Sequence, residues 1–264
     1  AGFAGSSNLE AQRRYGVPAI GTSAHAYTLL HTTPEGSDEK AAFRAQVDAL
    51  GVGTTLLVDT YDITQGVANA VEVAGPELGA VRIDSGDLGV LARQVRAQLD
   101  ELGATKTRIV VSGDLDEFAI AGLRAEPVDY YGVGTSVVTG SGAPTASMVY
   151  KLVEVDGMPV EKRSPHKQSH GGRKRATRLA KPSGTVVEEI TYPAGQAPPD
   201  FDLIARDLTV PLVENGEPVA DFSLAAAREH VAKGLLSLPW DGLSLSRGEP
   251  AIPTRMVAAS GRGA

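Results

Sequence analysis

Apolar positions along the first half of the chain fall into two alternating rhythms. Short, nearly continuous apolar runs give way to longer segments in which apolar residues stand three and four apart. The first rhythm belongs to a strand buried on both faces, the second to an amphipathic helix. The apolar runs are Pro18–Thr22, Thr54–Val58, Gly79–Ile83, Thr107–Val111 and Val128–Val133. Between them lie a helix from Ser37 to Leu50 with Ala41, Phe43, Val47 and Leu50 in register, and one through Val67, Ala70 and Val71. A third carries Leu88, Leu91, Val95, Leu99 and Leu102, and a fourth Phe118, Ile120 and Leu123. An earlier helix, Leu9 to Tyr15, starts at Ser6-Ser7-Asn8 and stops at Gly16-Val17-Pro18. Strands and helices taken in turn predict a parallel sheet covered by helices.

After Gly142 the texture changes. Ser147–Val155 alternates like a half-buried antiparallel strand, and Asp156-Gly157 is a hairpin turn into Met158-Pro159-Val160. A basic run, Lys162-Arg163-Ser164-Pro165-His166-Lys167, continues as Arg173-Lys174-Arg175. Thr185–Ile190 and Asp207–Val213 read as strands, Gly195–Asp200 as a Pro-rich connector, and Ser223–Leu236 as a helix capped by Ser223. The tail Ala258–Ala264 reads as frayed. The expected class is α/β: an incomplete parallel, TIM-like barrel over residues 1–142, then a smaller, mainly antiparallel sandwich portion over 143–264. The strand–helix units recur at roughly 30 residues, close to the spacing of an eight-unit barrel.

Composition narrows the picture. A chain of 264 residues with 42% hydrophobic content can bury a large core. A net charge of -7 argues against nonspecific nucleic-acid binding. The absence of cysteine excludes disulfides, thiolate metal sites and a catalytic thiol. No signal peptide and no bilayer-length apolar run is evident, so a cytoplasmic protein is expected. The opening Ala1-Gly2-Phe3-Ala4-Gly5 has no initiator Met and reads as the back part of a longer chain.

The chemistry gathers at the carboxyl ends of the predicted strands, where parallel α/β folds place their sites. That end would collect His25, Asp59, Asp62, Asp84, Asp87, Asp114 and Gly134. Carboxylates there suit a sugar diol or a phosphate-bound metal. Arg82 and Asp84, two apart on a strand, share a face. Gly113, Gly132 and Gly134 would let backbone N–H groups approach a phosphate, with hydroxyls from Thr135 and Ser136. His25 could serve as base, nucleophile or phosphoryl acceptor. Each signal also has a plainer reading. An Asp at a strand-to-helix junction is commonly an N-cap, a lone His is more often structural, and a basic run is usually a solvated face.

Five motifs in register resemble nicotinate phosphoribosyltransferases: Gly21-Thr22-Ser23-Ala24-His25, Val58-Asp59-Thr60-Tyr61-Asp62, Arg82-Ile83-Asp84-Ser85-Gly86-Asp87-Leu88, Ser112-Gly113-Asp114-Leu115-Asp116 and Gly132-Val133-Gly134-Thr135. Gly5-Ser6-Ser7-Asn8 and Ser164-Pro165-His166-Lys167 also fit. The resemblance implies a barrel-type phosphoribosyltransferase that converts nicotinate and phosphoribosyl pyrophosphate to nicotinate mononucleotide and pyrophosphate. Mg²⁺ and coupled ATP hydrolysis would assist, as the salvage entry to NAD. It implies that His25 is phosphorylated by ATP, that Asp59 orients His25 or helps hold the metal, and that Asp84 and Asp114 hold ribose hydroxyls. Arg82 would reach the base or a phosphate. Gly113, Gly134 and Thr135 would cradle the 5′-phosphate, with Lys167 in the substrate site. Ser7, where the nicotinamide-using relative carries an acid, would favour the carboxylate substrate. A homodimer is implied. Further N-terminal sequence is expected as well, so this chain alone is expected to be poorly soluble or inactive. A quinolinate- or nicotinamide-using relative, and an inactive fragment that binds only phosphate or a partner, are the alternatives.

Overall fold

The computed structural model describes residues 2–140, 145, 148–163, 169–196, 202–244 and 249–257. Two compact units divide the chain, residues 1–171 and 172–264.

In the first unit the side chain of Asn8 accepts from the Ala11 N–H and opens α1 (Leu9–Tyr15), which Gly16 closes at φ 67°. Next come α2 (His25–Leu29) and the small hairpin β1 (Thr32–Thr33) and β2 (Gly36–Ser37). The regular alternation follows: α3 (Glu39–Leu50), β3 (Thr55–Leu57), α4 (Ile63–Ala74), β4 (Ala80–Ile83), α5 (Leu88–Glu101), β5 (Arg108–Ser112), α6 (Glu117–Gly122), β6 (Tyr130–Gly132) and α7 (Thr135–Thr139). Strands β3, β4, β5 and β6 form one sheet in that order, every pair parallel. Four aspartates do ordinary capping work: Asp38, Asp62, Asp87 and Asp116 accept from first-turn N–H groups of α3, α4, α5 and α6.

Alternation along each strand sorts side chains between two faces. Leu56 and Val58, Val81 and Ile83, and Ile109 and Val111 face the helices, joining Val67, Ala70, Val95 and Leu99 in the main core. The opposite face therefore takes Leu57, Arg82 and Val110, which lie side by side in register, and Ser112 two residues further along β5. Helix α4 can lie this close to β3 because residue 66 is glycine: a Cβ there would stand 2.2 Å from the Val58 carbonyl oxygen.

The run Pro18–Thr22 differs from the expected strand. It makes a single parallel bridge, Ala19 to Ser6, and pairs with no strand of the sheet. Pro18 has no N–H to offer a ladder, and its carbonyl accepts from Ser6 N–H instead. Ser147–Val155 likewise shrinks to β7 (Glu154–Val155), paired with β8 (Met158–Pro159). Residue 147 itself lies outside the described residues. The turn between them is as expected, with Asp156 at φ 49° and Gly157 at φ 78°.

The second unit holds β9 (Lys174–Ala180), β10 (Val186–Pro193), β11 (Ile204–Asp207), β12 (Val213–Glu214), β13 (Glu217–Pro218), α8 (Leu224–Ser237) and β14 (Thr254–Met256). Its main sheet runs β11-β9-β10-β14, antiparallel except for β10 with β14, around Leu179, Ile190 and Tyr192. The basic stretch from Lys174 is thus a strand, its cations alternating with buried Thr177 and Leu179. The expected strand Asp207–Val213 is instead the end of β11 and the start of β12, with Leu208–Leu212 outside both. Ser223 caps α8 as expected. Among the described residues no helix is long and apolar enough to cross a membrane.

Candidate active site

Strands β3, β4, β5 and β6 all end on one side, because they are parallel. Asp59 follows β3, Asp84 follows β4, Gly113 and Asp114 follow β5, and Gly134 and Thr135 follow β6. Onto this rim comes His25, the first residue of α2. Its Nε2 lies 3.8 Å from Asp59 Oδ1 and 3.7 Å from Asp84 Oδ2, and its Nδ1 lies 3.0 Å from Thr60 Oγ1. Residues far apart in sequence thus crowd one point.

Asp59 is buried, 3% exposed. Its Oδ2 accepts from the Ser85 hydroxyl and, at 3.2 Å, from the Asp84 N–H. Its Oδ1 is buried without a hydrogen-bond partner and faces the imidazole. Such an oxygen is costly to leave bare and marks a place where a ligand or proton donor belongs.

Arg82 and Asp84 do share a face. Each nitrogen of the Arg82 guanidinium donates within the protein: Nη2 to Asp84 Oδ1 at 2.8 Å, Nε to Ser112 Oγ at 2.7 Å and Nη1 to Thr22 Oγ1 at 2.7 Å. Ser112 in turn donates to Asp84 Oδ1. Burial alone would push the Asp84 carboxyl up. The contact with His25, the Ser112 hydroxyl and the Arg82 guanidinium together outweigh it and hold this carboxyl well below the usual range. Gly132 keeps this brace open, since a Cβ there would stand 3.1 Å from Ser112 Cβ.

A second cation enters from a stretch that reads in sequence as a basic run. Lys162, 4% exposed, places Nζ 2.6 Å from His25 Nε2 and 3.7 Å from Asp59 Oδ2. Two carboxylates and Lys162 therefore surround one imidazole, with Arg82 behind Asp84, and this pairing makes burial of the charges tolerable. Neither Lys162 and Thr60, which meet His25, nor Ser85, Ser112 and Thr22, which brace Asp59, Asp84 and Arg82, stand out in the sequence as members of this network. Only the neighbouring motif residues could have pointed to the hydroxyls.

Other expected site residues stand outside this network. Asp114 is exposed on a left-handed backbone (φ 43°), just after Gly113 at φ 109°. Gly134 precedes α7, and Thr135 is its first residue. Ser7 is exposed, with its Cβ 4.0 Å from where a Gly21 side chain would begin. No hydrogen bond or ion pair among the described residues joins these five to His25. Lys167 lies outside the described residues.

Architecture and rim together define a class: a mixed α/β protein with a charged, imidazole-centred site at the carboxyl ends of parallel strands, where such folds bind their ligands. The chain is 70% identical over 262 residues to nicotinate phosphoribosyltransferase pncB1 of Mycobacterium tuberculosis, covering 98% of this chain and 58% of that protein. It is 37% identical over 193 residues to the nicotinate phosphoribosyltransferase of Bacillus subtilis, covering 67% of this chain and 38% of that one. Among solved structures, the nicotinate phosphoribosyltransferase of Vibrio cholerae aligns with a TM-score of 0.54 at 25% identity, over 62% of this chain and 43% of that one. No protein-family model matches. The chain belongs to the nicotinate phosphoribosyltransferase family, and it spans a little over half the length of the M. tuberculosis relative.

Proposed function

We propose that this chain carries the phosphoribosyl-transfer site of a nicotinate phosphoribosyltransferase serving NAD salvage. The observation that carries the reading is the packing of His25 within 4 Å of both Asp59 and Asp84, in a chain so similar to named members of that family. In this reading the pyridine nitrogen of nicotinate bonds to C1′ of phosphoribosyl pyrophosphate as the C1′–O bond to pyrophosphate breaks. The carbon becomes oxocarbenium-like, and a carboxylate kept ionised beside it lowers that barrier. Asp84 suits the task, because Arg82 and Ser112 hold it anionic. Gly113, Gly134 and Thr135 supply the phosphate cradle, Asp114 a ribose contact, and Ser7 the preference for a carboxylate over an amide. The four parallel strands are part of an α/β barrel, with the helix-free face turned inward. The working enzyme is a homodimer.

ATP enters through His25, whose imidazole accepts the terminal phosphoryl group while ADP leaves. The added charge then alters affinity for pyrophosphate at the same rim. Mg²⁺ fits as a passenger rather than a resident. His25, Asp59 and Asp84 crowd one another, but among the described residues no group of three His, Asp or Glu is arranged to hold a metal, and Mg²⁺ commonly keeps its waters and rides on phosphate oxygens. Here it would neutralise the leaving pyrophosphate, with Asp84 reaching it through water.

The test compares wild type with His25→Ala and Asp84→Asn in nicotinate mononucleotide formation, with and without ATP. Expected are loss of ATP stimulation with residual turnover for His25→Ala, and a fall of at least about a hundredfold with or without ATP for Asp84→Asn. Unchanged ATP stimulation in His25→Ala, or preference for nicotinamide, refutes the reading.

A further inference from the structure

The segment carrying Lys162 is pinned on both sides. Its N–H donates to Ser169 Oγ at 2.9 Å and its carbonyl accepts from Ser169 N–H at 3.1 Å. The next residue, Arg163, donates its N–H to the Thr60 carbonyl at 3.2 Å, tying this segment to the loop that follows β3. Lys162 therefore arrives at His25 by construction.

The two nitrogens at 2.6 Å must share one proton. An alkylamine is far more basic than an imidazole, so the proton stays on the amine, where the carboxylate of Asp59 lies 3.7 Å from Nζ. An ammonium has no lone pair, so it donates and Nε2 accepts. The ring proton then sits on Nδ1, within 3.0 Å of the Thr60 hydroxyl oxygen. Without the lysine the preference would reverse. The charged neighbours left to Nε2 are Asp59 Oδ1 and Asp84 Oδ2, both acceptors that favour an Nε2–H.

We infer that Lys162 is a positioning residue that holds His25 in the Nδ1–H tautomer, with the Nε2 lone pair turned to the Lys162 ammonium. Resting on the phosphoryl-transfer reading above, this makes Nε2 the accepting nitrogen. The Nε2–P bond forms as the P–O bond to ADP breaks, and its electron pair leaves with ADP. No proton has to leave Nε2 beforehand, and the freed ammonium turns to the incoming phosphoryl oxygens.

Ring ¹⁵N shifts of His25 in labelled protein at pH 8.5, without substrates, test the inference. Wild type is expected to show protonated Nδ1 and a bare Nε2, and Lys162→Arg, which keeps charge and donors, the same. Lys162→Met is expected to shift the balance toward Nε2–H by about tenfold or more, the scale of one charge-assisted hydrogen bond. A wild-type ring with Nε2–H overturns the inference, even should Lys162→Met fail to fold. So does a folded Met variant with the wild-type tautomer. Because the readout needs neither ATP nor nicotinate, its failure is distinct from failure of the proposed reaction.

Discussion

Glu39 offers the sharpest test of how burial shapes this fold. It stands in the first turn of α3 and is 7% exposed. One oxygen, Oε2, accepts from Asn69 Nδ2 at 3.0 Å, and Gln65 donates in turn to Asn69. The other, Oε1, is buried without a partner. Burial raises this carboxyl, the Asn69 hydrogen bond pulls it back, and the charges of Asp62 and Asp59 raise it further, from an ordinary 4.5 to about 7. The folded protein therefore keeps a proton that the unfolded chain releases between those values. Stability must fall as the pH rises through that window, and the penalty is complete above about pH 8. The rise corresponds to about 3 kcal/mol. Glu39→Gln carries no charge at any pH and can still pair with Asn69. Urea unfolding should show the variant about 2–3 kcal/mol more stable than wild type at pH 8.5, a midpoint shift of about 1 M, and nearly equal to it at pH 5. A difference that does not change with pH, or a variant weaker at both values, would refute the reasoning.

Other outcomes follow from particular contacts. Gly66→Ala puts a Cβ against the Val58 carbonyl and should destabilise by about 2–4 kcal/mol, read as a lower urea midpoint. Asp84, with its carboxyl held low, contributes stability that is present above its ordinary value near 4 and lost as the pH falls below it. Asp84→Asn should therefore cost about 3 kcal/mol at pH 7, with the gap to wild type closing in acid titrations below about pH 4. Asp87→Ala removes the cap that accepts from Val90 N–H and should cost about 1 kcal/mol in the same assay, without altering the His25 ring shifts.

The alternation of apolar runs and helical spacing was enough to locate β3 to β6 and the helices between them, because burial against a common core imposes those periods. Pro18–Thr22 has the composition of such a strand but not its partners, and partners are what make a strand. The plain reading of the aspartates was right for Asp62, Asp87 and Asp116, which cap helices. The chemical one suits Asp59 and Asp84, which meet His25. Nothing in their local sequence separates the two groups, since both stand where a strand hands over to a helix.

Local order alone therefore settles which residues end the strands of the parallel sheet, and so which end of that sheet carries Asp59 and Asp84. It also points Arg82 and Asp84 to one face, because side chains two apart along an extended chain alternate back to the same side. Folding in three dimensions adds the partners. Lys162 reaches His25 across 137 residues of chain, and Thr22 reaches Arg82 across 60. Such contacts leave no period in the sequence. They arise because a buried charge must find its counter-charge and its hydrogen bonds, from whichever segment packing brings near.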